Sequence, residues 1–585
     1  MKTLVTTASI FAVAAVAIVS IIAPTVVRTK QVTAKTILYP PESATSKVDQ
    51  LFTQWSNSDT PGCSLGVSRN GALLCERGYG MANLELGVPI TPASVFHVAS
   101  VSKQFTAMSI LLLTQRGQLS LDDEVRKYVP EWADHGNGVT VRHLLSHTSG
   151  VRDGFTLREF NAASDDVFDN DVMVKILART RALNFTPGTE FQYNNSAYAL
   201  LASIVSRVSG QSLRAFTEAN VFKPLGMTHT HFHDDPTMIV PNFASGYHQD
   251  AGGLHVALHP YLNHIVGNTG LFTTVRDLLL WEQNFADARV GDKAVIAAMQ
   301  TPVIPTGWSD KSFYGLGLEI GDYRGLRTIG HGGGDPGYRA YLVRYPDQGL
   351  AVAVLCNLDD IDPATVARGV ADIYLSDAFA TPSISSATAT PARVSLSAEQ
   401  LASKAGLYFD PLSESVGRMF VRDGKLMARE GAGEGESVEL TPVSENRFVV
   451  LGTPIVAEFV AAGPVRPQEV RVTGAGPKPI VSRKLDAFAP SRAQLRAFAG
   501  GYTSSEVEGR YTLAAHKSGL VIQIPGRTDI TLQPIFLDGF AGAVVGVVTF
   551  LRDAQGIVTG FTVNTSGVRG LRFDRAKPER RPPSG

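Results

Sequence analysis

The sequence predicts an α+β catalytic domain followed by two small all-β domains. Within residues 45–379, strand-like runs lie near both ends and helical stretches lie between them, which favours one antiparallel sheet built from both ends. Beyond residue 393 the chain changes to short β-type runs that repeat themselves after 91–94 residues. Several domains also agree with the length of 585 residues, because a single core seldom exceeds about 250–300 residues.

Composition excludes several classes of protein. Lys and Arg total 53 and Asp and Glu total 54, so the net charge is −1 and no basic excess favours a nucleic-acid partner. The 44% of hydrophobic and 18% of charged residues exclude a largely disordered chain. Three cysteines are too few for a disulfide framework or an all-cysteine metal cluster. We expect no cofactor, and composition does not specify an oligomeric state.

Residues 1–30 are predicted to be a targeting segment. Met1-Lys2 precedes an apolar run over residues 4–27, which is long enough for a secretory signal or a membrane anchor. Ala15 and Ala17 offer small residues for cleavage, but the apolar run continues past them, so cleavage and anchoring are both open. In either case we expect the body to be periplasmic or secreted, with an inner-membrane tether if the segment is retained.

The elements of the catalytic domain can be predicted in chain order. The first are an amphipathic helix and the two arms of a hairpin with an Asn-Gly turn: residues 46–56, 64–68 and 72–77. A long helix is expected from Ser100 to Arg116, where Gly117 is a natural stop. After a helical, loop-rich middle come three strands and a last helix: residues 314–320, 339–345, 350–356 and 364–378.

The three cysteines are expected to be buried free thiols. With a two-residue turn in the hairpin, Cys75 lies opposite Gly66 and Cys63 lies opposite Gly78. The two thiols then point to opposite faces of the hairpin and cannot reach each other. Cys356 ends an apolar strand and is assigned to the core.

The C-terminal region is predicted to hold two copies of one β-barrel unit. Residues 380–393 form a linker rich in Ala, Ser, Thr and Pro, and two barrels and a disordered basic tail follow at residues 394–487, 488–577 and 578–585. The repeat is visible where Ala405-Gly-Leu-Tyr408 recurs as Ala499-Gly-Gly-Tyr502. We expect the barrels to fold independently and to restrict access to the catalytic cleft.

The strongest chemical signal is Ser100 followed by Lys103 at the start of the long helix. Residues three apart lie on one face of a helix, one turn apart. The helix N-terminus favours negative charge on the serine oxygen, and a partly desolvated lysine can accept or relay the hydroxyl proton. A serine and a lysine at this spacing are common by chance, so their partners decide the assignment.

Two further signals follow in the chain. Beside an ammonium group the pKa of the Tyr193 phenol is expected to fall, which suits a general base, and Asn195 offers an amide to a substrate carbonyl. His331 lies among four glycines in residues 330–334, where a strand edge can hold a substrate and lend an N–H group to an oxyanion hole. The alternatives are an ordinary turn at Tyr193 and a flexible glycine loop.

Together and in this order, the three signals resemble the serine β-lactamase and penicillin-binding-protein family, in its class C and esterase-like branch. The segments 143–150, 267–277 and 314–317 support the resemblance, which covers about residues 45–378. It implies a β-lactamase-like catalytic domain, with an antiparallel sheet flanked by helices and a helical subdomain.

The resemblance also implies a role for each residue of the three signals. Ser100 becomes the acyl-forming nucleophile, with Lys103 and Tyr193 as its bases. Asn195 and His331 become substrate contacts, and His331 stands where β-lactamases have a lysine. Gly333 and Gly334 line the same site, and the backbone N–H groups of Ser100 and Gly334 are expected to form the oxyanion hole.

The two β-domains are similar to those of bacterial D-aminopeptidases. This implies an exported serine hydrolase, of D-aminopeptidase, amidase or esterase type, acting on small peptides, amides or esters. A β-lactamase or DD-carboxypeptidase is the first alternative, and a peptidoglycan- or penicillin-binding protein without turnover is the second. Because histidine is mostly neutral at pH 7, we expect His331 to favour uncharged substrates over penicillins.

Two groups of histidines are assigned structural roles, so we expect no metal site. His229, His231 and His233 alternate like metal ligands, but they follow residues 224–227, which this family uses as a surface turn. His143 and His147 have the four-residue spacing of a zinc protease helix but lack its glutamate.

Overall fold

The computed structural model describes most of the chain from Glu42 onward. Described are residues 42–577 apart from 133–137, 162–166, 251, 259–263, 310, 380–392, 432–436, 451–454, 461–467, 475–478, 487 and 517–518. The predicted targeting segment 1–30 and tail 578–585, and nearly all of the linker 380–393, lie outside the described residues. Within the described ranges, no helix has the length and apolar character needed to cross a membrane.

The catalytic domain is built on an eight-stranded antiparallel sheet, as predicted from the strand-like runs at both ends of the domain. The order across the sheet is Ile304–Pro305, Phe313–Tyr314, Glu319–Tyr323, Leu326–Asp335, Tyr338–Tyr345, Leu350–Cys356, Cys63–Arg69 and Ala72–Tyr79. Short additional strands are Met81–Asn83, Val88–Pro89, Phe96–His97, His231–Phe232, Tyr247–Asp250, Gly253–Val256 and Leu271–Thr273.

Helices cover the sheet on both faces. One face packs on Glu42–Leu51 and Pro363–Tyr374 around a core of aliphatic and aromatic side chains. The other face packs on a helical region whose central helices are the buried Lys103–Gln115 and Asn195–Ser209. The remaining α-helices of this domain are Val141–Leu145, Gly154–Phe160, Asn170–Ala178, Leu213–Thr217, Lys223–Leu225, Val275–Asp287 and Lys293–Gln300.

The predicted long helix has a different beginning in the structure. Ala99–Ser102 form a 3-10 turn, and the α-helix begins only at Lys103. Ala99 has a φ of 46°, in the left-handed region that a residue with a side chain rarely adopts. The nucleophile candidate Ser100 therefore follows a sharp backbone bend instead of lying within a regular helix.

The cysteine prediction is wrong in two respects. Cys63 and Cys356 form a disulfide, because they are directly paired on neighbouring antiparallel strands although 293 residues separate them in sequence. A β-bulge between Val67 and Ser68 shifts the hairpin register, so Cys75 lies opposite Val67 and shares a face with Cys63. Cys75 is a buried free thiol, as expected.

The two predicted barrels are present, and each is a closed barrel of eight strands. Each follows a short helix, Ala398–Lys404 in barrel 1 and Arg492–Phe498 in barrel 2. The strands of barrel 1 are Gly406–Asp410, Ser415–Arg422, Lys425–Glu430, Val438–Pro442, Arg447–Val449, Val456–Val460, Glu469–Thr473 and Ile480–Lys484. Those of barrel 2 are Gly500–Thr503, Arg510–His516, Gly519–Gln523, Ile530–Phe536, Gly539–Gly542, Gly546–Arg552, Val558–Asn564 and Leu571–Arg575.

Equivalent residues of the repeat have the same backbone conformation and make the same hydrogen bond in both barrels. Gly406 and Gly500 share a φ of 149°. The hydroxyl of Tyr408 donates to the main-chain oxygen of Lys404 at 2.9 Å, and that of Tyr502 donates to Phe498 at 2.7 Å. These shared contacts explain why the glycine and the tyrosine recur in register.

Barrel 2 packs directly against the catalytic domain. The hydrophobic core of the helical region continues into barrel 2, with Phe160 against Phe573. Arg152 and Glu506 form an ion pair whose side chains are 2% and 6% exposed, and Glu506 also accepts from the backbone N–H of Arg181 at 2.8 Å. Barrel 1 packs on barrel 2 through an apolar cluster that includes Val416 and Ile535. Independent folding of barrel 2 remains a prediction. The shared core argues against it, because barrel 2 alone would expose apolar side chains that are buried in the full chain.

The Arg152–Glu506 ion pair is expected to contribute strongly to stability. In Arg152→Ala the buried carboxylate of Glu506 loses its cation, a change that typically costs about 3–5 kcal/mol. Arg142→Ala is the matched control, because the pair of Arg142 with Asp122 is exposed and is expected to contribute little. Thermal unfolding of the full chain measures both, and equal midpoints for the two variants would contradict this assignment.

Candidate active site

Ser100 lies where three segments of the catalytic domain meet. It belongs to the 3-10 turn before helix Lys103–Gln115, and it is partly exposed although its neighbours Ala99 and Val101 are buried. The turn is fastened by Ser102, whose hydroxyl donates to the main-chain oxygen of Ala99 at 2.5 Å. Ser102 Oγ also accepts from the backbone N–H of Leu271 at 3.1 Å. Ser100 is thus an accessible hydroxyl on a fixed support.

Lys103 connects the three signals of the sequence. Its Nζ lies 2.9 Å from Oγ of Ser100, 2.8 Å from Oδ1 of Asn195 and 2.8 Å from the main-chain oxygen of Asn268. The side chain is fully buried. The structure therefore brings the predicted serine, lysine and asparagine together. It adds a main-chain carbonyl of the loop Gly267–Gly270. The sequence analysis used this loop only as support for the family resemblance and gave it no role in the site.

Burial favours the neutral form of the Lys103 amine. It lowers the pKa of Lys103 well below its usual value, and the negative charges of Asp335, Glu319 and Asp153 oppose that shift only in part. A neutral amine has two N–H donors and one lone pair. The oxygens of Asn195 and Asn268 can only accept, so they take both donors. The lone pair is then left for the hydroxyl proton of Ser100, which is the arrangement of a general base.

Tyr193 differs from its prediction in protonation. Its side chain is hydrogen-bonded to that of Ser100, and Nζ of Lys103 lies 4.8 Å from the centre of its ring. Burial raises the pKa of Tyr193 well above its usual value, against a smaller lowering by the Ser100 hydrogen bond. The prediction that the pKa of Tyr193 falls is therefore wrong, because burial dominates. Tyr193 is therefore a phenol that can donate a proton.

Hydrogen bonds on both sides hold the segment of Tyr193. The backbone N–H of Gln192 donates to the main-chain oxygen of His147 at 2.9 Å, and that of Asn194 donates to Nδ1 of His147 at 3.1 Å. The Gln192 side chain donates to the main-chain oxygen of Ser566 in barrel 2 at 2.6 Å. Barrel 2 thus reaches the residue next to Tyr193, and its predicted effect on access to the cleft remains a prediction.

Asn195 begins helix Asn195–Ser209. The preceding Asn194 caps this helix, since its Oδ1 accepts from the backbone N–H of Ala197 at 2.9 Å. The cap fixes where the loop ends and so directs Oδ1 of Asn195 to Lys103. Because Oδ1 of Asn195 accepts the hydrogen bond of Lys103, only the amide NH₂ group of Asn195 is left for the predicted substrate contact.

The glycine run forms strand Leu326–Asp335, not a flexible loop. Gly333 has to be glycine, because a Cβ atom there would lie 2.3 Å from the main-chain oxygen of Val98 and 3.3 Å from Cβ of Ala99. The strand can therefore approach the turn of Ser100 closely. Gly334 is the next residue on this strand, and its role in an oxyanion hole stays a prediction.

His331 is on the same strand but is buried. One ring nitrogen, Nε2, lies 3.0 Å from the hydroxyl of Tyr314, and Nδ1 lies 2.6 Å from the main-chain oxygen of Gly332. That oxygen can only accept, so Nδ1 carries the proton and Nε2 accepts from Tyr314. Burial lowers the pKa of His331 to about 3, so the ring is neutral. Because both ring nitrogens already have partners, we expect His331 to affect a substrate indirectly, by positioning Tyr314 and the strand Leu326–Asp335.

The other histidines have structural partners. The Nδ1 atom of His143 accepts from the backbone N–H of Thr140 and completes a capping box. His231 and His233 face each other at 3.3 Å between ring nitrogens. Across the parts of the chain that the structure describes, no three side chains of His, Cys, Asp or Glu are placed to hold a metal ion.

Three residues near Lys103 were not singled out from the sequence: Tyr314, Glu319 and Asp335. Tyr314 was quoted only within a strand, and it packs on His147 and His331. Glu319 and Asp335 are the carboxylates whose charges act most on Lys103. Their positions in the sequence were a signal, since Glu319 follows the segment 314–317 and Asp335 follows the glycine run 330–334. Only the folded sheet shows that both carboxylates lie near Lys103.

The domain that carries these residues is similar to known proteins. The family model described as Beta-lactamase matches residues 48–374, more than half of the chain. A D-aminopeptidase of Gluconobacter oxydans is 28% identical over 302 residues, which are 51% of this chain and 56% of that protein. Penicillin-binding protein 4* of Bacillus subtilis is 27% identical over 409 residues, or 67% of this chain and 88% of that protein.

A solved structure shows the same fold. The octameric penicillin-binding protein homologue from Pyrococcus abyssi aligns with 75% of this chain and 99% of its own, with a TM-score of 0.53 and 24% sequence identity. The chain spans only a little over half the length of the D-aminopeptidases that it matches.

A phenol that donates a proton matters most when the leaving group is basic. In Tyr193→Phe we expect the rate to fall by about 10²–10⁴ on an anilide, and much less on the p-nitrophenyl ester of the same acid, because p-nitrophenolate leaves without a proton. Single-turnover rates on the two substrates measure this. Tyr198→Phe is the control, since its hydroxyl donates to the main-chain oxygen of Leu145. Equal losses on anilide and ester in Tyr193→Phe would contradict the assignment.

Proposed function

The chain belongs to the Beta-lactamase family, and from this premise we propose that it hydrolyses small D-amino-acid amides, peptides or esters through an acyl-enzyme on Ser100. The observation that carries the proposal is the contact of Nζ of Lys103 with Oγ of Ser100, while its two N–H donors are committed to Asn195 and Asn268. The match to a D-aminopeptidase supports the substrate class.

In the proposed reaction Oγ of Ser100 attacks the substrate carbonyl carbon, and its proton passes to the neutral amine of Lys103. The negative charge on the carbonyl oxygen is stabilised by the backbone N–H groups of Ser100 and Gly334. The tetrahedral intermediate collapses as the Tyr193 phenol gives its proton to the departing amine, and the Lys103 ammonium returns a proton to Tyr193. Water then attacks the acyl-enzyme while Lys103 takes its proton. The second tetrahedral intermediate collapses as Lys103 returns that proton to the departing Oγ of Ser100, which releases the free acid and restores the enzyme.

A β-lactam substrate is the second candidate, favoured by the match to penicillin-binding protein 4* over 67% of this chain. The neutral His331 argues against it, because His331 stands where β-lactamases have a lysine that helps to hold the drug carboxylate. Replacing an ion-paired contact by a neutral one costs roughly tenfold in binding. We therefore place β-lactams below amides and esters.

Export is part of the proposal. The disulfide between Cys63 and Cys356 supports it, because stable disulfides form in oxidising compartments such as the bacterial periplasm. Cell fractionation with thiol alkylation tests this point. A cytoplasmic chain whose three cysteines all react with the alkylating agent after unfolding would contradict export.

The activity is tested with a substrate panel of D- and L-amino-acid p-nitroanilides, short acyl esters and a chromogenic cephalosporin. We expect turnover of the D-anilides or esters to exceed that of the cephalosporin about tenfold or more, because the neutral His331 stands in the place of the β-lactamase lysine. A fluorophosphonate should label Ser100, and Ser100→Ala should abolish labelling and turnover. Labelling that survives Ser100→Ala, or cephalosporin turnover equal to the best amide, would overturn the proposal.

A further inference from the structure

Glu319 lies beside Ser100, at the point where the pairing between the strands Glu319–Tyr323 and Leu326–Asp335 ends. It is the first residue of strand Glu319–Tyr323, and it pairs with Gly330 of the strand Leu326–Asp335. The strand Leu326–Asp335 continues beyond this pair to Asp335. On the edge away from Glu319 it pairs with the strand Tyr338–Tyr345. Among the described residues, no strand pairs with 331–335 on the side of Glu319. A substrate lying along this free edge therefore meets Glu319 at one end.

The carboxylate of Glu319 points to this edge. It accepts a hydrogen bond from the backbone N–H of Gly332, and Oε1 lies 3.6 Å from Nδ1 of His331. The side chain of Glu319 is 30% exposed, whereas that of His331 is 2% exposed. The carboxylate is near enough to raise the pKa values of both Lys103 and Tyr193. It is thus a partly exposed carboxyl group whose charge reaches the active site.

The charge of Glu319 is poorly balanced by its surroundings. His331 is neutral, and the neutral form of Lys103 is favoured by burial. Arg368, on the helix Pro363–Tyr374, is a cation whose charge lowers the pKa of Glu319, as the charged form of Lys103 also does. Burial outweighs these charges and raises the pKa of Glu319 to about 7. A further cation at this position would stabilise the carboxylate.

Building on the proposed acylation of Ser100, we propose that Glu319 binds the protonated amine of the substrate and so selects compounds with a free ammonium group next to the scissile carbonyl. Residues two apart on one edge of a strand lie about 7 Å apart, so a carbonyl oxygen at the N–H of Gly334 leaves room for an ammonium group between it and the carboxylate at Gly332. The same negative charge repels the carboxylate of a β-lactam.

The test uses Glu319→Gln in the full chain with a matched pair of substrates. Glutamine keeps the size of the side chain and an acceptor for the N–H of Gly332, but it removes the charge. The substrates are D-alanine p-nitroanilide and its N-acetyl derivative, which lacks the ammonium group. For the free amine we expect kcat/KM to fall about tenfold or more, mainly through KM, because an ion-paired hydrogen bond becomes a neutral one.

The readout is the ratio of kcat/KM on the two anilides, because a change in the pKa of Lys103 or Tyr193 acts on both anilides and on fluorophosphonate labelling of Ser100 alike, whereas loss of the ammonium contact acts on the free amine alone. Glu319→Asp, which keeps the charge, should retain a preference for the free amine. Equal losses on both anilides, or a wild-type enzyme without preference for the free amine, would overturn the inference. Failure of the proposed function is distinguishable, because wild-type Ser100 would then remain unlabelled and neither anilide would be hydrolysed.

Discussion

The buried amine of Lys103 contacts two oxygens that can only accept hydrogen bonds, and the rest of the active site is arranged around this constraint. One oxygen belongs to Asn195 at the start of a capped helix, and the other to Asn268 in the loop before Leu271. Because both N–H donors are used, the lone pair is left for Ser100. The helix, the loop and the 3-10 turn must therefore be positioned together for Lys103 to contact Ser100, Asn195 and Asn268 at once.

Other parts of the fold maintain this arrangement from a distance. Gly333 lets the strand Leu326–Asp335 approach the turn of Ser100 closely, because a Cβ atom there would clash with the main-chain oxygen of Val98. His147 and Ser566 hold the residues on either side of Tyr193. Barrel 2 is consequently joined to the active site by a direct hydrogen bond as well as by its shared core with the catalytic domain. His331 is neutral, and Glu319 is a partly exposed carboxyl group beside the same strand.

Much of this could be predicted from local patterns in the sequence. The spacing of Ser100 and Lys103, the apolar strand ending at Cys356 and the register of the barrel repeat depend on neighbouring residues or on repetition. The disulfide could not be predicted, because strands 293 residues apart in sequence become neighbours only in the folded sheet. The protonation of Tyr193 and the place of Glu319 depend on burial and on the sheet edge, which no local pattern specifies.

The central claim is that Lys103 is a neutral base, and its protonation can be measured directly. In the full chain labelled with ¹⁵N at lysine Nζ, the signal of Lys103 is identified by its loss in Lys103→Arg, and its chemical shift is followed with pH. The account predicts that the pKa of Lys103 lies well below that of the other lysines, so that the amine loses its proton while they keep theirs. A Lys103 signal that titrates together with the exposed lysines would contradict it.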